Sequence, residues 1–129
     1  MKCLVVDASG LTRRTLVRVL DSLGFDTVIE ASNGHQAFEV CDPTLDLVVT
    51  GWSLPGLSGI DLVRSIRLRP DVSALPILMV TDRIERLHVV EALDAGVDGY
   101  VIRPFALDTF RDKVMDVLDA RSEESEAQG

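Results

Sequence analysis

Short apolar runs alternate along this chain with longer amphipathic stretches. Cys3-Leu4-Val5-Val6 is a continuous apolar run that stops at Asp7, the pattern of a strand covered on both faces. From Leu11 to Leu23, Leu16, Leu20 and Leu23 recur at helical spacing with Arg13, Arg14 and Arg18 between them, and Gly24 closes the stretch. Thr27 to Glu30 reads as a second strand. Asn33 opens a helix that runs to about Cys41, with Pro43 just past its end. Leu45 to Thr50 is the third strand. A turn-rich loop from Gly51 to Gly59 follows, holding Pro55 and Gly56. The next helix carries Leu62, Val63 and Ile66 on one face and is interrupted at Arg69-Pro70-Asp71. Pro76 introduces a fourth strand, Ile77 to Thr81. Residues 84–95 predict a helix closed by Gly96, and Gly99 to Ile102 a fifth strand. The last helix runs from Leu107 to about Ala120, with Phe110, Val114, Val117 and Leu118 apolar. Strand and helix thus alternate five times within one domain's length, which calls for a parallel sheet with helices on both faces, over residues 1–121. Residues 122–129 are polar, with three acids and no large apolar group, and predict a disordered tail.

Charge narrows the choice of partner. Thirteen basic residues against twenty-one acidic ones give a net charge of −8, which argues against non-specific binding to nucleic acid or to an anionic membrane. No apolar run approaches the roughly 18 residues of a membrane span. No basic n-region precedes an apolar core at the amino terminus, so the cytoplasm is the expected location. Cys3 and Cys41 are expected as buried, reduced thiols rather than a disulfide framework.

In open α/β sheets, ligands gather beyond the carboxyl ends of the strands. The residues at those ends are Asp7, Ala8 and Ser9; Gly51, Trp52 and Ser53; Thr81 and Asp82; and Arg103, Pro104 and Phe105. A carboxylate, a hydroxyl and a guanidinium converge there, but the first and third strand ends together supply only Asp7 as an acid.

Four stretches in this order resemble the response-regulator receiver domain of the CheY type: Leu4-Val5-Val6-Asp7, Gly51-Trp52-Ser53-Leu54-Pro55-Gly56, Ala74 to Thr81, and Gly99-Tyr100-Val101-Ile102-Arg103-Pro104-Phe105. The resemblance covers about residues 2–119. It implies a flavodoxin-like sheet of five parallel strands in the order 2-1-3-4-5, with five helices on its two faces. It further implies an aspartate after the third strand that takes a phosphoryl group from a histidine kinase. An acidic pair after the first strand would hold magnesium, and a lysine after the fifth would contact the phosphoryl group. A Thr or Ser hydroxyl and a strand-five aromatic would act as the switch.

Position by position, Asp7 matches the first acid, Thr81 the switch hydroxyl and Tyr100 the switch aromatic. Ala8 stands in place of the second acid, Gly51 in place of the acceptor, Arg103 in place of the lysine, and Asp82 where a small residue is usual. An acyl phosphate needs a side-chain carboxylate, and glycine has none. With Asp7 and the Ser53 carbonyl as the remaining ligands, magnesium binding is expected to be weak or absent. Arg103 is expected to swing toward Asp7 or Asp82 in place of the cation, or else to point to solvent.

The departures from the family pattern, Gly51 above all, lead us to expect a phosphorylation-independent, non-enzymatic receiver that binds a signalling partner, a histidine kinase or an output protein. The contact face would be the fourth helix, fifth strand and fifth helix around Tyr100. Two alternatives stay open: phosphorylation at Asp7 or Ser53, and a small anion held near Arg103 or Thr81. Trp52 reads as a half-exposed loop aromatic, and His35 and His88 as surface residues. Arg13 and Arg14 read as a solvated face or a dock for an acidic partner, and Asp46 and Asp61 as surplus acids away from the acceptor position.

Overall fold

A computed structural model describes residues 1–121, with helical backbone continuing to Gln128. The acidic tail expected over 122–129 lies outside the described residues. The elements are β1 (Lys2–Val6), α1 (Gly10–Ser22), β2 (Thr27–Ala31), α2 (Gly34–Val40), β3 (Leu47–Thr50), α3 (Gly59–Leu68), β4 (Ile77–Thr81), α4 (Arg86–Ala95), β5 (Gly99–Ile102) and α5 (Leu107–Gln128). The five strands form one parallel sheet ordered β2-β1-β3-β4-β5, as the resemblance implied. Among the described residues no helix is long and apolar enough to cross a membrane.

Side chains alternate across each strand and sort the core into two layers. Leu4, Val6, Val48 and Met79 pack with Ile60, Val63 and Ile66 of α3 and with Ala37 and Ala92 of α2 and α4. Cys3, Val5, Val49 and Val80 pack on the opposite face with Leu16 and Leu20 of α1 and Phe110, Val114 and Val117 of α5. The three inner strands, β1, β3 and β4, are buried on both faces, which explains their uninterrupted apolar runs.

Register sets the site. Val6 pairs with Thr50, Thr50 with Met79, and Thr81 with Ile102. Asp7, Gly51, Asp82 and Arg103, each one residue further along, therefore come out at one edge of the sheet.

Two element starts differ from the sequence reading. β3 begins at Leu47 rather than Leu45, because Leu45 sits in a turn on the Asp42 carbonyl and the Asp46 carboxylate takes the Lys2 N–H at 2.7 Å. α4 begins at Arg86 rather than residue 84, because its N-cap Glu85 has an extended backbone and the Arg83 N–H is drawn back to Thr81 Oγ1 at 3.3 Å.

Both cysteines are buried and free of disulfide, as expected. Burial pushes the thiols of both Cys3 and Cys41 up. Neither is expected to react with iodoacetamide at about pH 8 in the native chain, and both should react once urea unfolds it. Labelling of either one by mass spectrometry under native conditions would contradict this burial.

Gly59 is held by a close backbone approach. A Cβ there would stand 1.9 Å from the Gly51 carbonyl oxygen, while the Gly59 N–H donates to the Trp52 carbonyl at 2.7 Å. Gly59→Ala should cost about 2–3 kcal/mol of unfolding free energy, read by urea titration.

A second anchor lies at the opposite end of β4. Asp98 accepts from Arg67 Nη2 at 2.9 Å, Arg121 Nε at 2.7 Å and the Ile77 N–H at 2.8 Å. Arg67 also donates to the carbonyls of Ser73, Leu75 and Gly96. One carboxylate thereby joins α3, the start of β4 and α5.

Candidate functional site

Asp7 is only 8% exposed and is held from several sides. Its Oδ1 accepts the Ser9 N–H at 2.8 Å, and its carbonyl accepts Arg13 Nη1 at 2.7 Å. Ser9 in turn caps α1 by accepting the Thr12 N–H on its hydroxyl. Arg13 also pairs with Glu30 at 3.1 Å, so it is a fastening between α1 and β2 rather than a solvated residue; Arg14 is exposed.

Beside Asp7 lies the place left by residue 51. A Cβ on Gly51 would meet Asp7 Oδ2 at 2.9 Å, so the carboxylate leans over the space where a side chain would stand. The Gly51 N–H donates to the Val6 carbonyl at 2.9 Å, and its own carbonyl accepts Thr50 Oγ1 at 3.0 Å. Ala8 and Ser53 are exposed.

Arg103 turns inward instead of pointing to solvent. Its Nη1 lies 3.1 Å from Thr12 Oγ1 and 3.9 Å from Asp7 Oδ2, and its Nε is covered. Of the two expected acids, Asp7 is the ion-pair partner, at the outer limit of contact. With the Arg103 side chain 33% exposed, the pair contributes less than about 1 kcal/mol. Asp82 is exposed and borders the same cleft of about 490 Å³, together with Leu11, Thr12, Phe105 and Leu107.

Asp7 is thus a lone carboxylate beside a guanidinium. Among the described residues no cluster of three or more His, Cys, Asp or Glu is placed to hold a metal. Magnesium demands octahedral oxygen coordination, and this donor set does not fit it.

Thr81 is buried; its hydroxyl accepts the Arg83 N–H and its carbonyl accepts the Arg103 N–H at 2.9 Å. Tyr100 is half-buried, and its Oη donates to the Arg83 carbonyl at 2.7 Å; burial raises its phenol above the ordinary range. Arg83, which the sequence did not single out, thus joins both switch-like residues. Its guanidinium lies 4.8 Å from the Trp52 ring centroid and reaches Ser53 Oγ at 3.4 Å.

Two surface expectations are corrected here. Trp52 is only 8% exposed, because the Arg83 guanidinium covers one side of it and it packs into the core layer beside α3. His88 is half-buried with its ring edge-on to Trp52. His35 is exposed, as expected. Nothing local in the sequence ties Arg83 to Trp52; the contact exists because β3 and β4 are neighbours, which puts their following loops side by side.

A five-stranded doubly wound sheet in this strand order, with polar groups gathered at its carboxyl edge, is the flavodoxin-like architecture. The chain belongs to the response regulator receiver domain family, which matches residues 3–115. It is 38% identical over 120 residues to the chemotaxis protein CheY of Pseudomonas aeruginosa, covering 92% of this chain and 97% of that one. It is 36% identical over 130 residues to the chemotaxis protein CheY homolog of Campylobacter jejuni, covering 99% and 100%. Two solved structures share the fold: the chemotaxis response regulator CheY4 of Vibrio cholerae (TM-score 0.81, 24% identity, 90% of this chain and 97% of that one) and a CheY-like receiver domain protein of Methanospirillum hungatei (TM-score 0.80, 24% identity, 95% and 97%).

Proposed function

We propose that this receiver works without phosphoryl transfer to the end of β3, as a non-enzymatic protein-binding module in two-component or chemotaxis-like signalling. The observation that carries the reading is Gly51, which offers no atom to attack phosphorus. The surroundings support it. The Asp7 carboxylate leans into the vacated space, and Arg103 faces it where a metal ion would otherwise balance the charge. Magnesium binding is then weak or absent. The similarity to chemotaxis proteins named CheY supports the signalling context and, with it, a cytoplasmic setting.

The partner is a signalling protein, a kinase or an output protein, bound through α4, β5 and α5. Leu87 is 74% exposed on that face, beside Val90, Leu93 and Ile102, all large apolar groups open to solvent. The net charge of −8 argues against nucleic acid or an anionic membrane as the partner.

The test is intact-mass spectrometry after incubation with acetyl phosphate and magnesium. The expected mass is that of the untreated chain. A stable gain of one phosphoryl group overturns the reading, and site mapping would then distinguish Asp7 from Ser53.

A further inference from the structure

The Arg83 cluster holds a histidine that the function above does not use. His88 presents its ring edge to Trp52, with centroids 5.3 Å apart, and its Nε2 lies 3.5 Å from Arg83 Nη1. Its Nδ1 is covered and has no hydrogen-bond partner among the described residues. A guanidinium has only donors, so this contact is a hydrogen bond only while Nε2 carries no proton. A second proton would turn Nε2 into a donor aimed at donors and set a full positive charge 3.5 Å from another.

Arg83 is where that repulsion would be felt. Its side chain rests on Trp52, its N–H is held by Thr81 Oγ1, and its carbonyl holds Tyr100 Oη. We propose that His88 is a proton-operated release for Arg83. Protonation drives the guanidinium off Trp52, loosens the segment between β4 and α4, and frees Tyr100, so that the face formed by α4 and β5 responds to pH.

The charged surroundings of the ring are mixed. The segment before α4 brings Arg83, Asp82 and the N-cap Glu85, and α4 itself carries Glu91 one turn beyond the ring. The loop after β3 brings Trp52 and Ser53, which stay uncharged, and β5 brings the Tyr100 phenol, also uncharged here. α3 sends Arg67 to the far end of α4, at the Gly96 carbonyl. Arg83 is thus the cation in direct contact with the imidazole. This device is separate from the chemistry at Gly51 and stands or falls independently of it.

The chain has one tryptophan and one tyrosine, so each is an unambiguous probe. The experiment is a proton–carbon NMR titration of the full chain from about pH 8 to about pH 5, the range over which histidines change charge. Tyr100 ring resonances are expected to shift together with those of the His88 imidazole, accompanied by the Trp52 indole. His88→Gln should abolish the Tyr100 shift. Arg83→Met should leave His88 titrating while Tyr100 stays still, which separates release of Arg83 from simple ring effects of a charged imidazole. His35→Gln should leave the natural behaviour intact. A stationary Tyr100 while His88 titrates in the natural chain overturns the proposal. So does a Tyr100 shift that survives His88→Gln or Arg83→Met, or one that vanishes in His35→Gln.

Discussion

Gly51→Asp, Ala8→Asp and Arg103→Lys, made together, are expected to yield a chain that takes a phosphoryl group from acetyl phosphate and gains thermal stability from magnesium. The scaffold requires little change for this. A Cβ at position 51 meets Asp7 Oδ2 at 2.9 Å, which is the movable end of a side chain rather than backbone. Arg103→Lys removes the guanidinium that now sits 3.9 Å from that oxygen. The added carboxylates then crowd Asp7, and crowded like charges bind protons or a cation to relieve their repulsion.

Gly51→Asp alone should therefore lower stability, by roughly 1–2 kcal/mol, the equivalent of one carboxyl displaced by about one pKa unit. In the triple variant magnesium should reverse that loss. Intact mass reports the phosphoryl group, and a thermal melt with and without magnesium reports the cation. A triple variant that stays unmodified and indifferent to magnesium would mean that the strand ends have drifted beyond the matching assumed for Asp7, Ala8, Gly51 and Arg103.

Asp98→Ala should lower the unfolding free energy by about 3 kcal/mol, the cost of removing the carboxylate from a buried ion-paired cluster. Asp98 is 13% exposed, Arg67 15% and Arg121 19%, so water cannot readily replace the lost carboxylate. The Ile77 N–H at the start of β4 would lose its acceptor as well. Asp98→Asn keeps an oxygen for that N–H and should fall between the two. Urea titration measures both; a loss under about 1 kcal/mol for the alanine variant would mean that the cluster is solvent-compensated like a surface pair.

The architecture was readable because its signals are local. Apolar runs in β1, β3 and β4 mark strands buried on both faces. Gly24 and Gly96 do stand in left-handed conformations just past α1 and α4, at φ of 97° and 118°, where a side chain would be strained. Asn33 does cap α2 through the Gln36 N–H. The missed features all depend on neighbours distant in sequence. Trp52 lies among polar and turn-forming residues and reads as half-exposed until Arg83 arrives from the next loop. Arg67, Asp98 and Arg121 look like ordinary surface charges on three separate segments until the sheet brings them together. The sequence leaves Arg103 a choice between turning inward and pointing to solvent, and its nearer partner, Thr12, belongs to α1 and carries no signal of its own.

The clamp between Gly59 and the Gly51 peptide has a consequence for how such a domain diverges. The direction of the main chain at position 51 is fixed by α3 abutting its carbonyl, and by the Val6 carbonyl receiving its N–H. Whatever side chain the position carries, or lacks, hangs from a mount that does not depend on it. A reactive group at that spot can therefore be added or taken away without rebuilding the main chain beneath it.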